Sequence, residues 1–156
     1  MDLSTDQVPF GFGLSYDTHF TYSNFKLNAT SIGHCESISA SVSVTNSGSR
    51  DGDEVVQLYV ETPHATVKAP RLRLADFARV HIPSGKTVSV DLTVTPKYHS
   101  VVKDEGNSSF WNPNIFVESG AISLHVGGGQ PGVTKGVLEV TATVKDSGAL
   151  TTEYKC

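Results

Sequence analysis

The stretch Thr87-Val88-Ser89-Val90-Asp91-Leu92-Thr93-Val94 alternates polar and aliphatic residues without a break. Successive side chains of a β-strand point to opposite faces, so this pattern predicts a strand with one buried and one exposed face. The segment Pro83-Ser84-Gly85-Lys86 directly before it has the composition of a tight turn. A half-buried strand that follows a turn is typical of an antiparallel β-protein.

Segments of the same kind recur along the chain, and no stretch shows a sustained helical period. The predicted strands are 20–27, 38–45, 54–60, 72–82, 87–94, 122–126 and 137–144. Their spacing predicts an all-β fold, a fibronectin type III/immunoglobulin-like antiparallel sandwich of about seven strands over residues 20–145. The predicted core side chains are Ile38, Ala40, Val42, Val44, Val56, Leu58, Val60, Val88, Val90, Leu92 and Val94. We expect 95–119 to be the longest irregular region and 146–156 to be a mostly polar tail.

Composition excludes several classes of function. A chain of 156 residues is long enough for one domain with a real core. The net charge is −4, with lysines and arginines scattered singly, so nucleic acid is not an expected partner. No apolar run reaches the length of a membrane span, and the first residues are too polar for a signal peptide. The chain is therefore expected to be a mature form, an excised domain or an intracellular protein.

The residues that carry catalysis elsewhere are poorly arranged for it here. The acidic groups Asp51/Asp53/Glu54 and Asp104/Glu105 fall in predicted turns beside glycine, where carboxylates are usually solvated. Residues 127–132 are rich in glycine but lack the lysine and the following helix of a phosphate loop. The six histidines are dispersed and form no ligand-spaced pair. We expect no catalytic residue, no metal site and no cofactor.

Cysteine usage and two sequons bear on the compartment. Cys35 and Cys156 are compatible with one disulfide and equally with two unpaired thiols. The triplets at Asn28 and Asn107 are N-glycosylation sequons, and they favour a secreted, extracellular protein.

One loop has the composition of a sugar-binding surface. Phe110, Trp111 and Asn112 place the only tryptophan between an aromatic ring and an amide. Sugar faces stack on aromatic rings and amides bond hydroxyl groups, so this segment would suit a glycan contact. The alternative is that Trp111 and Phe116 fold down and cap the open end of the sandwich.

Three segments in a fixed order carry a resemblance to a known family. They are Pro9-Phe10-Gly11-Phe12-Gly13-Leu14-Ser15-Tyr16, Asp51 to Val60 and Leu74 to Val80. Together they resemble the C-terminal fibronectin type III-like domain of family 3 glycoside hydrolases, the β-glucosidases and β-xylosidases. The resemblance implies that residues 1–19 lead in from a preceding α/β domain. It also implies that the catalytic carboxylates lie upstream in the parent chain.

The resemblance leaves two alternatives for where the large apolar residues of the leading segment pack. Phe10, Phe12, Leu14 and Tyr16 pack either on this domain's own sheet or on a neighbouring domain. The first functional hypothesis is accordingly a non-catalytic accessory domain whose partners are glycosidase α/β and barrel domains. The second is a free-standing secreted structural or adhesive protein that self-assembles, so that its partners are further copies of itself. The third is a carbohydrate-binding module that contacts polysaccharide through Trp111.

Overall fold

The computed structural model describes residues 18–103 and 113–156, and these form an all-β sandwich. The strands are β1 Phe20–Leu27, β2 Ser31–Ile32, β3 Ile38–Asn46, β4 Gly52–Glu61, β5 Arg73–Ile82, β6 Thr87–Val94, β7 Ser100–Lys103, β8 Asn114–Val117, β9 Gly120–Gly127, β10 Leu138–Val144 and β11 Gly148–Leu150. A four-residue helix, α1 Pro96–His99, follows β6, and Pro96 supplies a helix start that needs no backbone donor. The predicted fold class is confirmed.

The strands form three sheets that share one core. One sheet has the order β1-β3-β6, the second β2-β10-β9-β4-β5, and the third β11-β8-β7. All pairs are antiparallel except the short pairing of β2 with β10. Apolar side chains from all three sheets join in a single buried cluster. Such burial contributes roughly 1.5–3 kcal/mol for each large aliphatic side chain.

The alternating strands bury the face that the sequence predicted. In β3, Ile38, Val42 and Val44 are buried, and Val42 lies opposite Val90 of β6. The core positions predicted for β4 and β6 are likewise buried, apart from Val88, which is partly buried. Period-two alternation therefore identified the core face of the central strands correctly.

Strand β4 is buried on its second face as well. Gln57 is 5% and Tyr59 4% exposed, although both point away from the core side chains of their strand. The Tyr59 hydroxyl donates to Gln57 Oε1 at 2.7 Å, and Gln57 Nε2 donates to the Gly128 carbonyl at 3.4 Å. A short polar network thus satisfies these groups where the loop after β9 approaches the sheet.

The prediction of an irregular region over 95–119 is wrong for the described part. Residues 95–103 and 113–119 include α1, β7 and β8, and Val101, Ile115 and Val117 are buried. The polar tail is also structured, because β11 pairs with β8 and buries Leu150. Strands of three or four residues carry too few alternations to be seen in sequence. Among residues 18–103 and 113–156, no helix has the length and apolar character that crossing a membrane requires.

Candidate functional site

The predicted site residues divide between described and undescribed parts of the chain. Outside the described residues lie Phe10, Phe12, Leu14, Tyr16, Asn107, Phe110, Trp111 and Asn112, together with the acidic pair Asp104 and Glu105. Within them lie Asn28, Cys35 and Cys156. The candidate sites of the described residues consist of polar and ionic groups that the sheets and their loops bring together.

The end of the chain is fixed at a corner formed by His34, Cys35, Asp146 and Cys156, which we call the C-terminal corner. Cys35, in the turn between β2 and β3, forms a disulfide with Cys156 across a Cα–Cα distance of 5.9 Å. His34 Nδ1 bonds to Asp146 Oδ2, and the His34 backbone N–H donates to Asp146 Oδ1 at 3.0 Å. The hydrogen bond with His34 lowers the pKa of the Asp146 carboxyl, so this carboxylate is the acceptor and Nδ1 the donor.

The imidazole of the C-terminal corner lies flat against backbone. A Cβ placed on Gly148 would overlap the His34 ring. Glycine at the start of β11 is therefore what admits the ring beside the strand. The chain brings His34 and Asp146 together across 112 residues, a pairing that no local sequence signal predicts.

A second ionic site lies where the loop after β4 meets the turn between β8 and β9. Glu118 is 8% exposed, and its carboxylate accepts from the Thr66 backbone N–H at 2.8 Å and from the Thr66 hydroxyl. Lys103 Nζ lies 2.9 Å from Glu118 Oε1. Burial alone raises the pKa of Glu118, but the bonds from Thr66 and Lys103 outweigh it and hold the pKa at about 2.

His64 fastens the same loop to the same turn. Its ring nitrogens lie 2.7 Å from the Ala121 carbonyl oxygen and 3.2 Å from that of Glu118. The ring stands over Gly120, where φ is +149° and any Cβ would collide with the imidazole. Glycine is therefore required at this position for both conformation and space.

We expect Glu118→Gln to lower the free energy of unfolding by about 2 kcal/mol at pH 7, since it weakens hydrogen bonds made to a charged group. The folded pKa of about 2 lies below the ordinary value of 4.5, so this stability is present above pH 4.5 and is lost as pH falls toward 2. Urea unfolding at pH 7 and pH 3 tests this, because the difference from wild type should shrink at pH 3. Glu153→Gln, at an exposed pair with Lys155, is the matched control and should change stability by less than about 0.5 kcal/mol. An equal loss in both variants would contradict the assignment.

His99, the last residue of α1, is buried without a polar partner. It is 3% exposed, and neither ring nitrogen has a hydrogen-bond partner within the described part of the chain. Burial, followed by the nearby charges of Arg73 and His64, lowers the pKa of His99 to about 4. The imidazole is therefore neutral in the folded protein at neutral pH.

An open cleft of about 820 Å³ lies on the outer face of the five-stranded sheet, beside the loop after β9. Glu61, His125 and Glu139 line it, with Arg71 bonded to Glu61 at 3.2 Å. His125 Nε2 is 3.7 Å from Glu61 and Nδ1 is 4.0 Å from Glu139. His125 thus lies close to both carboxylates of the cleft.

The prediction that Asp51, Asp53 and Glu54 all lie in a turn is wrong for two of them. Asp53 and Glu54 lie in β4, and Asp53 pairs with Arg79 at 2.6 Å and His81 at 2.7 Å. The hydrogen bond from His81 and then that from Arg79 lower the pKa of Asp53. Glu54 is half-buried and accepts from the Tyr22 hydroxyl at 3.0 Å, and burial raises the pKa of both groups. Cross-strand pairing explains why Asp53 and Glu54 lie in a strand and not in the turn, since both carboxylates bond side chains of other strands.

Two large apolar side chains stand out on the β4–β5 surface. Phe77 is 63% and Val55 41% exposed. Phe77 lies opposite Gln57 and Val55 opposite Arg79 on these paired strands. We call Val55 and Phe77 the β4–β5 apolar patch. The two side chains are diagonal neighbours on the paired strands.

Comparison with known proteins identifies this arrangement. Residues 54–130 match the fibronectin type III-like domain family. The chain is 38% identical over 123 residues to a β-xylosidase of Formosa agariphila, which covers 79% of this chain and 16% of that protein. It is 33% identical over 142 residues to thermostable β-glucosidase B of Acetivibrio thermocellus, covering 88% of this chain and 17% of that protein. Residues 54–130 are a fibronectin type III-like domain, in a chain that is similar to part of these β-xylosidases and β-glucosidases.

Solved structures agree with this assignment. A β-glucosidase from Erythrobacter marinus superposes with a TM-score of 0.76 at 29% identity, over 92% of this chain and 18% of that one. β-Glucosidase 3B of Thermotoga neapolitana shares the fold, with a TM-score of 0.74 at 24% identity. The chain thus spans less than a fifth of the length of the relatives named here. The predicted resemblance is confirmed.

Proposed function

We propose that the fibronectin type III-like domain is a non-catalytic accessory part of a family 3 β-glucosidase or β-xylosidase. The observation that carries the proposal is the unequal coverage, since 79–92% of this chain matches only 16–18% of its relatives. The catalytic carboxylates of the parent enzyme would lie outside this chain. Three described carboxylates, those of Glu118, Asp53 and Asp146, are engaged in structural bonds.

The domain's work in such a parent is to stabilise the packing of neighbouring domains. Its continuous core and its loop-fastening ion pairs make a stiff body, which suits a packing role. The β4–β5 apolar patch is the described surface that we assign to this contact. Interfaces between domains of one chain are commonly this mixture of apolar and polar groups.

Two measurements test the proposal. Mass spectrometry with light scattering on the native protein should find a parent chain several times this length. A glycosylated, polymeric chain near this length would instead support a free-standing structural protein. The purified 156-residue chain should not hydrolyse aryl β-glucosides or aryl β-xylosides. Turnover by this chain that Glu61→Gln abolishes would overturn the non-catalytic assignment.

We also propose that the protein is secreted and carries a glycan on Asn28. Asn28 is exposed in the bend after β1, and its Oδ1 accepts from the Ser39 backbone N–H at 2.9 Å. That bond anchors the side chain through its oxygen, while a glycan attaches to the amide nitrogen. A disulfide in the same chain is typical of an oxidising compartment.

Expression in a secretory eukaryotic host tests the Asn28 glycan. We expect the secreted chain to lose mass on digestion with peptide N-glycosidase, and Thr30→Ala to remove one glycan because it breaks the sequon. Thr30→Ala leaves Asn28 and its bond to Ser39 in place. A lower mass of this variant therefore reports the lost glycan and not a lost hydrogen bond. An unchanged glycan mass in Thr30→Ala would contradict the assignment to Asn28.

A further inference from the structure

A pocket lined by two tyrosines lies where β5, α1, β7 and the C-terminal tail meet, and we call it the tyrosine pocket. It has a volume of about 320 Å³, and its lining includes Arg73, Lys97, Tyr98, Ser100, Val102 and Tyr154. It shares no described lining residue with the cleft beside the loop after β9. Its volume is at the lower end of the range of small-molecule sites, so it has room for one ring with its substituents and not for an extended chain.

Two cations of the tyrosine pocket have no carboxylate partner among residues 18–103 and 113–156. Arg73 is partly buried, and its Nη1 donates to the carbonyl oxygens of Ser100 at 2.6 Å and Lys97 at 3.4 Å. Burial lowers the pKa of the Arg73 guanidinium, which still stays charged at neutral pH. The carbonyl groups position this charge without neutralising it. The pocket therefore favours an anion.

The tyrosines add apolar faces and hydroxyl groups to this charge. Lys97 Nζ lies 5.7 Å from the ring centroid of Tyr98 and 5.4 Å from that of Tyr154. Aromatic faces pack against the C–H face of a pyranose, and phenol hydroxyls can both donate to and accept from sugar hydroxyls. Val102, which is 56% exposed, adds apolar surface to the lining. A ring that carries both a carboxylate and hydroxyl groups matches all of these features.

The backbone holds Tyr154 at the pocket in an unusual conformation. Its φ is +60°, in the left-handed region that bulky residues seldom adopt. The Tyr154 N–H donates to the Thr151 carbonyl at 2.8 Å, and the Thr151 N–H donates to the Lys155 carbonyl at 2.7 Å. The disulfide of Cys156 fastens the tail two residues further on. Residues held in sparsely populated conformations cluster at ligand clamps, which is a second indication that this ring contacts a ligand.

We propose that the tyrosine pocket binds a hexuronate, with Arg73 and Lys97 contacting its carboxylate and Tyr98 and Tyr154 contacting its pyranose ring. The choice of a saccharide rests on the proposed function, the accessory domain of a glycosidase. The choice of an acidic saccharide rests on the two cations without carboxylate partners. Such a pocket directs the parent enzyme to polysaccharide that carries uronate residues.

Titration of the isotope-labelled 156-residue chain, with its disulfide intact, tests the proposal. The probe is methyl β-glucuronide. Its matched control is methyl β-glucoside, which has a hydroxymethyl group in place of the carboxylate. We expect the glucuronide to give saturable NMR shift changes at Arg73, Lys97, Tyr98 and Tyr154. The glucoside should bind at least about 10-fold more weakly, because it cannot form the charge-assisted hydrogen bonds.

Variants at exposed positions separate ligand recognition from folding. Lys97→Gln should weaken glucuronide binding by about 10-fold. Lys86→Gln, which makes the same charge change in the turn before β6, should leave the affinity unchanged. Val102→Glu places a carboxylate beside the two cations, and we expect it to abolish glucuronide binding. Val102→Gln, of the same size but neutral, should retain it.

Three results would overturn the proposal. The first is that the glucuronide does not bind, or binds no more tightly than the glucoside. The second is equal affinity for N-acetylglutamate amide, which has a carboxylate but no ring and represents an acidic side chain of a neighbouring domain. The third is an equal loss of affinity in Lys97→Gln and Lys86→Gln. None of these results bears on the accessory role itself, which the mass of the parent chain and the absence of hydrolysis test.

Discussion

Replacing Cys35 and Cys156 together by serine is expected to lower the free energy of unfolding by about 3–5 kcal/mol. The disulfide joins residues 121 positions apart, so it closes nearly the whole described sandwich into one loop. The chain-entropy treatment gives about 5 kcal/mol for a loop of that length, and native disulfides in small domains typically contribute 2–5 kcal/mol. Urea unfolding of wild type and double variant, each fitted with its own slope because the cross-link makes the unfolded chain more compact, measures the difference.

The reduced wild-type chain is the control for this experiment. It should unfold at the same urea concentration as the double variant, because neither has the cross-link. A difference below about 1 kcal/mol between oxidised wild type and double variant would show that the corner is not coupled to the stability of the core.

The sequence predicted the strands whose alternation is long and missed those whose alternation is short. Segment 87–94 repeats its pattern over eight residues, and β6 has the same bounds. Strand β11 has three residues and β8 four, so neither offers enough alternate positions to separate a strand from a loop. Their existence depends on a partner, because β11 is positioned by pairing with β8 across more than thirty residues of chain.

The candidate site was less predictable than the fold, for a physical reason. The sequence is compatible with a disulfide between Cys35 and Cys156 and equally with two thiols, because spacing alone does not say which cysteines pair. The partner of His34 lies 112 residues away, and that of Glu118 lies in another loop. Such pairings follow from strand order and register, which composition does not encode. An isolated acidic residue or histidine in the sequence therefore does not reveal whether it will form an ion pair or be buried.

The pH dependence of stability should be dominated between pH 4 and 6.5 by His99. The folded pKa of about 4 lies below the ordinary 6.5, so the unfolded chain takes up a proton first as pH falls. This contribution to the free energy of unfolding is fully present above pH 6.5. It is lost as the pH falls from 6.5 to 4, and it does not change further below pH 4. We expect His99→Leu to be more stable than wild type by about 2–3 kcal/mol at pH 4.5, since leucine has no proton to gain.

At pH 7.5 the same substitution should raise the free energy of unfolding by only about 1 kcal/mol. Both proteins then bury a neutral side chain of similar size, and the gain comes from removing two unpartnered nitrogens. Urea unfolding from pH 4.5 to 7.5 measures the gap at each pH, and the subtraction cancels the carboxylates that titrate in both proteins. His19→Leu, at an exposed position, is the control and should stay within about 0.5 kcal/mol of wild type throughout. Parallel stability curves for wild type and His99→Leu would mean that His99 takes up its proton equally in both states. The buried, unpartnered ring would then not be the group that acid acts on.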